Sequence, residues 1–595
     1  MALKGLFSKK DKSSLAPPKA TGGDDTTLAP STSPSLDNEK MEPTAETTTA
    51  RTHSDVPASE MNPAEEKIAG IEADEEAAEE DNTEYPKKMQ LFLITVALCL
   101  SVFCFALDNT IIATAIPKIT DEFHAINDVG WYGSAYLLTT CAFQLMFGKF
   151  YTFFNIKYVY LTALLIFEIG SAVCGAAPNS TAFIIGRAVA GLGSAGIFSG
   201  AILIVANTVP LRQRPTYTGG IGAMYGLASV AGPLMGGAFT DRVTWRLCFY
   251  INLPLGFITC VFIWFFYNPS SNAQAKKLAE GSLMSKIQQF DIFGTIVFLP
   301  MIVCLLLALQ WGGSKYAWKS GRIIALLVIF ALLLIVFCGI QVWKKDHATV
   351  PPRIIKQRTV AAGAWFGAMV GASFFSFVYY LPIWFQAIKG ASAVQSGIMN
   401  LPLILGLVII SVIAGGLVTA LGYYTPFVIA SAVVMSIGAG MLTTLKVDTN
   451  HSAWIGYQAL FGIGVGMGMQ QTLIAVQTVL PKADVPIGTA IAMFSQTLGG
   501  ALFISVAQNV FTNSLLKNVI AAAPGLDTAK ILSTGATNLK NAVPVELLPA
   551  VQMAYNNALR DTFYVGVATA VASILGAVLF EWKSVKGKKI EMAAA

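Results

Sequence analysis

The chain has 595 residues, 54% of them hydrophobic and only 13% charged, with a mean hydropathy of +0.59. A soluble domain is about one-quarter charged, so the composition excludes an ordinary water-soluble enzyme. The net charge of +5 hides a split: residues 1–86 hold 8 Lys/Arg against 19 Asp/Glu, and the remainder holds 32 against 16.

In chain order, residues 1–86 are rich in Ser, Thr, Pro, Ala and Glu. Such a segment cannot bury enough apolar surface to offset chain entropy, which predicts a disordered acidic tail. Its basic start is followed by no apolar core before Pro17, unlike a secretory signal. Fourteen apolar runs follow, each near the ~20 residues that a membrane helix needs. They fall at roughly 90–112, 129–151, 157–177, 182–206, 217–239, 247–267, 291–311, 321–343, 359–386, 394–418, 424–444, 454–480, 487–511 and 562–581. Residues 512–561 read as a long outer loop with an amphipathic helix near 545–560. An even count puts both termini on one side. Lys and Arg in the loops and flanks divide 19 to 8 in favour of that side, which marks it as cytosolic. The fold expected is an all-α membrane protein of fourteen helices.

The chain also repeats. "GLGSAGIFSGAILIVANTVP", ending at Pro210, matches "GIGVGMGMQQTLIAVQTVLP", ending at Pro481, at an offset of 271 residues. "GKFYTFFNIK" from Gly148 matches "GGLVTALGYY" from Gly415 at an offset of 267. Spans 1–6 (87–267) and 9–14 (359–582) therefore read as two parallel six-helix bundles. Spans 7 and 8 are inserted between them in 268–358, and 583–595 form a cytosolic tail. Paired six-helix halves hold a transported substrate at their interface.

Ionisable residues inside spans are costly and face a cavity or one another. Asp108, Arg187 and Glu168 stand in spans 1, 4 and 3, about 6, 8 and 13 Å from the outer ends of those spans at ~1.5 Å per residue. One fixed cation beside titratable carboxyls makes either a proton-coupling site or a permanent ion pair. The second half carries Gln458 where the first has Arg187. In span 5, Pro233 removes a helical hydrogen bond, and Gly226, Gly232, Gly236 and Gly237 allow close helix contact; together they suit a hinge or seal between halves. Tyr136, Gln144, Tyr379, Gln386, Asn400, Gln470 and Gln496 are candidates for the substrate cavity or for helix packing. The scarcity of charge suits a bulky, largely apolar substrate. Asn179 and Asn450 lie in N-x-S/T sequons within short outer loops, as candidate glycosylation sites. The eight cysteines lie in apolar runs without C-x-x-C spacing, and the four histidines lie in tail or loops, so no metal or cofactor is expected. The Gly-x-Gly runs follow no strand, no Walker loop is present, and nothing points to nucleic acid. The partners expected are one small-molecule substrate, protons and the lipid bilayer, with the chain as a monomer.

At these residues the chain resembles the major facilitator superfamily, and within it the fourteen-helix drug:proton antiporters of fungi and bacteria. "LDNTIIATAIPKI" (Leu107–Ile119) looks like the family's first-helix motif, with Asp108 at the acid. "GRAVAGLGSAG" (Gly186–Gly196) resembles the fourth-helix motif, whose arginine the resemblance links to proton transfer. "GLASVAGPLMGG" (Gly226–Gly237) resembles the antiporter signature, and "TWRLCFYINLPLG" (Thr244–Gly256) the opening of helix six. One motif departs. The G-x-x-x-D-R-x-G-R-K loop reads "GKFYTFFNIK", with Thr152 at the acid, Phe153 at the first basic site and Asn155 at the glycine, so the usual charged latch is missing. The resemblance implies a fungal pump that exports small amphipathic toxins, drugs or secondary metabolites by proton-coupled alternating access, at the plasma membrane or the vacuole. Two alternatives stay open: a vacuolar carrier of basic amino acids or siderophores, and a non-transporting membrane receptor.

Overall fold

The computed structural model describes residues 85–125, 128–269, 291–313, 315–523 and 543–586. The acidic segment before residue 85, most of the segment between the sixth and seventh helices, and residues 587–595 lie outside them. Fourteen long helices follow in order: α1 Lys88–Phe123, α2 Val129–Phe153, α3 Ile156–Ala176, α4 Ser180–Thr208, α5 Arg214–Arg242, α6 Leu247–Phe266, α7 Ile292–Trp311 and α8 Gly321–Lys344. The series continues with α9 Arg358–Lys389, α10 Leu401–Leu421, α11 Thr425–Leu442, α12 His451–Val479, α13 Val485–Ala522 and α14 Leu548–Leu579. Thirteen are apolar enough to cross a membrane by composition. The other, α2, has the length, but Tyr, Thr and Gln lower its hydropathy.

Two predicted boundaries are corrected. The loop expected at 512–561 is helical at both ends: α13 runs on to Ala522, and α14 begins at Leu548, where an amphipathic helix is expected near 545–560. Polar residues end the hydropathy signal there, but the 3.6-residue period persists. Leu515 and Val519 stay buried on one face of α13, and Val551, Tyr555 and Leu559 on one face of α14. Phe511 meets Tyr555 with ring centroids 6.0 Å apart. Likewise α1 passes residue 112 and ends at Phe123, whose ring packs edge-on to Trp245 at 5.7 Å. Asp108 lies one turn from the end of the apolar span at Ile112, as expected, and about 22 Å from the end of the helix at ~1.5 Å per residue.

The halves repeat their packing. In the first, α1 lies against α5 and α6, α3 against α4, and α2 against α4. In the second, α9 lies against α13 and α14, α11 against α12, and α10 against α12. Glycines set the close approaches: Gly193 faces the backbone of Ala163 and Phe167, and Gly464, its repeat partner, faces the backbone of Met435. The inserted pair α7–α8 is tied by Asp291, which caps α7 through Gly294 N (2.8 Å) and accepts from Gln341 Nε2 (3.0 Å) and from Thr349 N and Oγ1 (2.9 and 3.0 Å). α8 presents Ile324, Val328, Leu332 and Ile335 outward, a face suited to lipid.

Calling the end with Lys88 and Leu579 near and the opposite end far, the halves join most closely at the near end. Gly148 of α2 packs on Ala490 and Pro486 of α13, and Gly415 and Ser411 of α10 meet the start of α5. Thr216 and Thr419 share a 2.8 Å hydrogen bond. The motif after α2 has lost its acid and first basic residue but keeps Lys157; at the same end Arg353 of the linker holds both carboxylate oxygens of Asp484 at 2.6 and 3.1 Å. A core cluster at this end mixes residues of both halves, including Phe147 and Ile487. The far-end core of the first half, from Ala106 to Phe249, is built from first-half residues alone. The halves are thus in close contact at the near end.

Candidate functional site

The first half brings its buried charges together. Asp108 (α1) and Arg187 (α4) are both fully buried and pair at 2.5 Å. Arg187 Nε donates to the Tyr132 carbonyl at 2.9 Å, and the guanidinium lies 4.4 Å from the centre of the Tyr136 ring. A guanidinium is planar and weakly hydrated, which suits it to this stacked, dry position. The other carboxylate oxygen of Asp108 accepts from Asn252 Nδ2 (α6) at 3.3 Å, and that amide also donates to Ser171 Oγ (α3) at 3.2 Å.

Ser171 stands one turn from Glu168 on α3. Glu168 is buried, packs its carboxyl on Gly256 of α6, and has no hydrogen-bond partner on either oxygen among the described residues. Its carboxyl thus meets α6 one turn from Asn252, the residue that donates to Asp108. The three residues singled out by charge thus form one cluster. Asn252, Ser171 and Tyr132 were missed. Asn252 carried a signal, as the amide inside an apolar stretch of the "TWRLCFYINLPLG" motif.

The α5 motif forms a contact between halves. Gly232 and Gly236 take Thr110, Thr114 and Ile111 of α1 against their backbone, and Gly226 takes Val408 of α10. Val394 lies against Gly237 and Gly397 against Pro233, both in the short helix Ala393–Met399 that precedes α10. Pro233 leaves the Ser229 carbonyl without its helical donor, and one residue away Thr110 Oγ1 donates to the Ala228 carbonyl at 3.1 Å.

The seven cavity candidates divide. Tyr136 lies under Arg187 with its hydroxyl on the Phe105 carbonyl (3.3 Å). Gln144 donates to the Ala195 carbonyl (3.0 Å) and Gln386 to Ser396 (2.9 Å), both serving helix packing. Tyr379 is half exposed, while Asn400 Oδ1, Gln470 Oε1 and Gln496 Nε2 have no partner among the described residues. Asn179 and Asn450 cap α4 and α12 through their side-chain oxygens.

At the far end outside this cluster, Glu122 accepts from Trp245 Nε1 (2.6 Å) and Arg246 (2.8 Å). Those donors hold its carboxyl below the usual range, the Trp245 bond contributing most. Arg246 also donates to the Gly175 and Ala177 carbonyls at 2.9 Å each, closing the C-terminal end of α3. Among the described residues, no cluster of His, Cys, Asp and Glu could hold a metal.

Comparison with known proteins agrees with this architecture. Residues 98–504 match the family model of the Major Facilitator Superfamily. An MFS-type efflux pump, MFS1, of Arthroderma benhamiae is 61% identical over 85% of this chain and 94% of its own length. The efflux pump aflT of Aspergillus parasiticus is 54% identical over 84% of this chain and 96% of its own. Among solved structures, the proton:xylose symporter XylE superposes with a TM-score of 0.53 at 15% identity, covering 84% of this chain and 98% of XylE, a likeness of fold alone.

Proposed function

Because the chain belongs to the major facilitator superfamily, we propose that it exports small molecules by alternating access, driven by protons that load in its first half. The relatives named efflux pumps support the direction of transport. Glu168 supports the coupling: it is the buried carboxyl of the cluster that has no cation and no donor of its own. Asp108 already holds Arg187, so taking up a proton there breaks an ion pair, whereas Glu168 gains or loses one without such a loss.

One turn along α3 from Glu168, Ser171 begins a hydrogen-bonded chain through Asn252 to Asp108 and then Arg187. Neutralising Glu168 removes a negative charge from this cluster and alters how tightly α1, α3, α4 and α6 hold together. With the halves in contact at the near end, the proton enters from the far side as substrate leaves. Reopening the near end releases the proton to the side that the loop charges mark as cytosolic. The membrane potential adds about 2.3 kcal/mol per charge per 100 mV to each inward proton.

Reconstituted vesicles with an imposed pH gradient test this, with Nile red as the transported probe. Wild-type protein should accumulate the dye against its gradient. Glu168→Gln should lose that accumulation yet still exchange dye down its own gradient. Gradient-driven accumulation surviving in Glu168→Gln would overturn the assignment.

A further inference from the structure

Where α5 meets α12, an aromatic group of the first half adjoins uncharged polar side chains of the second. The first half supplies Phe105 (α1), Phe198 (α4) and Tyr225 (α5), all partly buried, with ring centroids 5.9 Å (Phe105–Phe198) and 5.8 Å (Phe105–Tyr225) apart. Tyr225 touches the cores of both halves, which places this aromatic group at the interface. The second half supplies Gln470, Thr472 and Gln496. Gln470 stands at the break in α12 and packs on Gly222 of α5, one turn from Tyr225. Thr472 and Gln496 flank Gly367 of α9.

Burying an amide or hydroxyl without a partner costs free energy, so native interiors rarely leave one so. Here Gln470 is 6% exposed and Thr472 3% exposed. Gln470 Oε1, Thr472 Oγ1 and Gln496 Nε2 nevertheless have no hydrogen-bond partner among the described residues. The three offer both donors and acceptors, and none carries charge. Aromatic faces stack on flat rings, and amides pair with carbonyls and hydroxyls.

We infer that these six side chains form the substrate-selecting site and that it takes neutral, flat aromatic molecules bearing carbonyl and hydroxyl groups. The inference rests on the transport reading above and deepens it. A cation finds no carboxylate among the six. The site also touches the coupling machinery. The Phe105 carbonyl accepts from Tyr136, whose ring lies under Arg187. A ligand stacked on Phe105 is therefore two side chains from the buried ion pair.

The test uses the full chain in vesicles and two probes, 1,8-dihydroxyanthraquinone and the cation tetraphenylphosphonium. Wild-type protein should carry the anthraquinone with a KM at least tenfold below that for the cation. Gln470→Leu and Gln496→Leu should each raise the anthraquinone KM by about three- to tenfold, as expected for one lost hydrogen bond, with kcat within twofold of wild type. Tyr225→Leu should raise it as well, and Tyr225→Phe should not. Preferred transport of the cation, or unchanged KM values in both glutamine variants, would overturn the inference. Thermal unfolding of each variant separates lost binding from lost fold. Collapsing the pH gradient separates the two readings: saturable anthraquinone transport that ignores the gradient sinks proton coupling and leaves the site standing.

Discussion

The two halves pack the same helix pairs, and they differ in the charge they bury. Where the first half has Arg187 joined to Asp108, the second has Gln458, fully buried, its amide donating to the Met399 and Trp454 carbonyls at 3.2 Å each. Desolvating an ion pair is expensive, and a well-packed neutral replacement is often as stable. The second half shows that this helix arrangement closes without such a pair. Packing alone therefore does not demand Asp108 and Arg187, which favours a role in coupling over a permanent clasp.

Making the first half resemble the second is the most disruptive way to probe that contrast. Arg187→Gln leaves Asp108 buried and uncompensated, and should lower stability by about 3–5 kcal/mol, read as a large fall in thermal unfolding temperature. Adding Asp108→Asn should restore most of the stability while gradient-driven transport stays absent. If the double variant still pumps, the pair is a clasp after all.

Glycine substitution sharpens the comparison from the other side, because close packing is what the halves share. A Cβ at Gly193 would meet the Ala163 carbonyl at 2.6 Å, and one at Gly464 would meet Met435 Cα at 2.5 Å. Gly193→Val and Gly464→Val should each cost about 1–3 kcal/mol of stability by overpacking. A large difference between them would mean that the repeat is superficial at these contacts.

The sequence made much of this legible, for identifiable reasons. The repeat at an offset of 271 residues survives because Gly193 and Gly464 solve the same steric problem in each half. Asp108, Arg187 and Glu168 stood out because charge is rare inside apolar runs, and they prove to share one cluster. Hydropathy failed where helices leave the apolar zone. The ends of α1 and α13 keep a buried stripe but gain polar residues, so a window average ends them early. For Tyr136, Gln144 and Gln386 the alternatives of cavity and helix packing stayed open, because composition cannot tell a polar side chain that faces a cavity from one that hydrogen-bonds a neighbouring helix. The Arg353–Asp484 pair was hidden for a similar reason: its members lie 131 residues apart in the chain.

That pair carries the contrast between the two ends. Arg353 is 57% exposed, so Arg353→Ala should change stability by less than about 1 kcal/mol. Its effect belongs to the equilibrium between joined and parted near ends. A cysteine placed at Thr419, within the near-end contact, should react several-fold faster with a water-soluble maleimide in Arg353→Ala and in Asp484→Asn. The double variant should react no faster than either single one. Unchanged labelling in both singles would remove the pair from any part in that contact.

The smallest expected effect lies at the far end, at Glu122. Its carboxyl is held below the usual range by the donors Trp245 and Arg246. A lowered folded-state value means stabilisation that is fully present above the unfolded carboxylate range, near pH 4, and lost as pH falls through the folded value. Glu122 is 47% exposed, so solvent screening keeps its share below about 1 kcal/mol. Between pH 6 and pH 3, wild-type protein should lose slightly more thermal stability than Glu122→Gln, which has no charge to lose there. The same substitution should leave proton-driven transport intact, because Glu122 is not hydrogen-bonded to the Asp108 cluster. A loss of coupling in Glu122→Gln would move the proton entry point outward, toward the ends of α1 and α3.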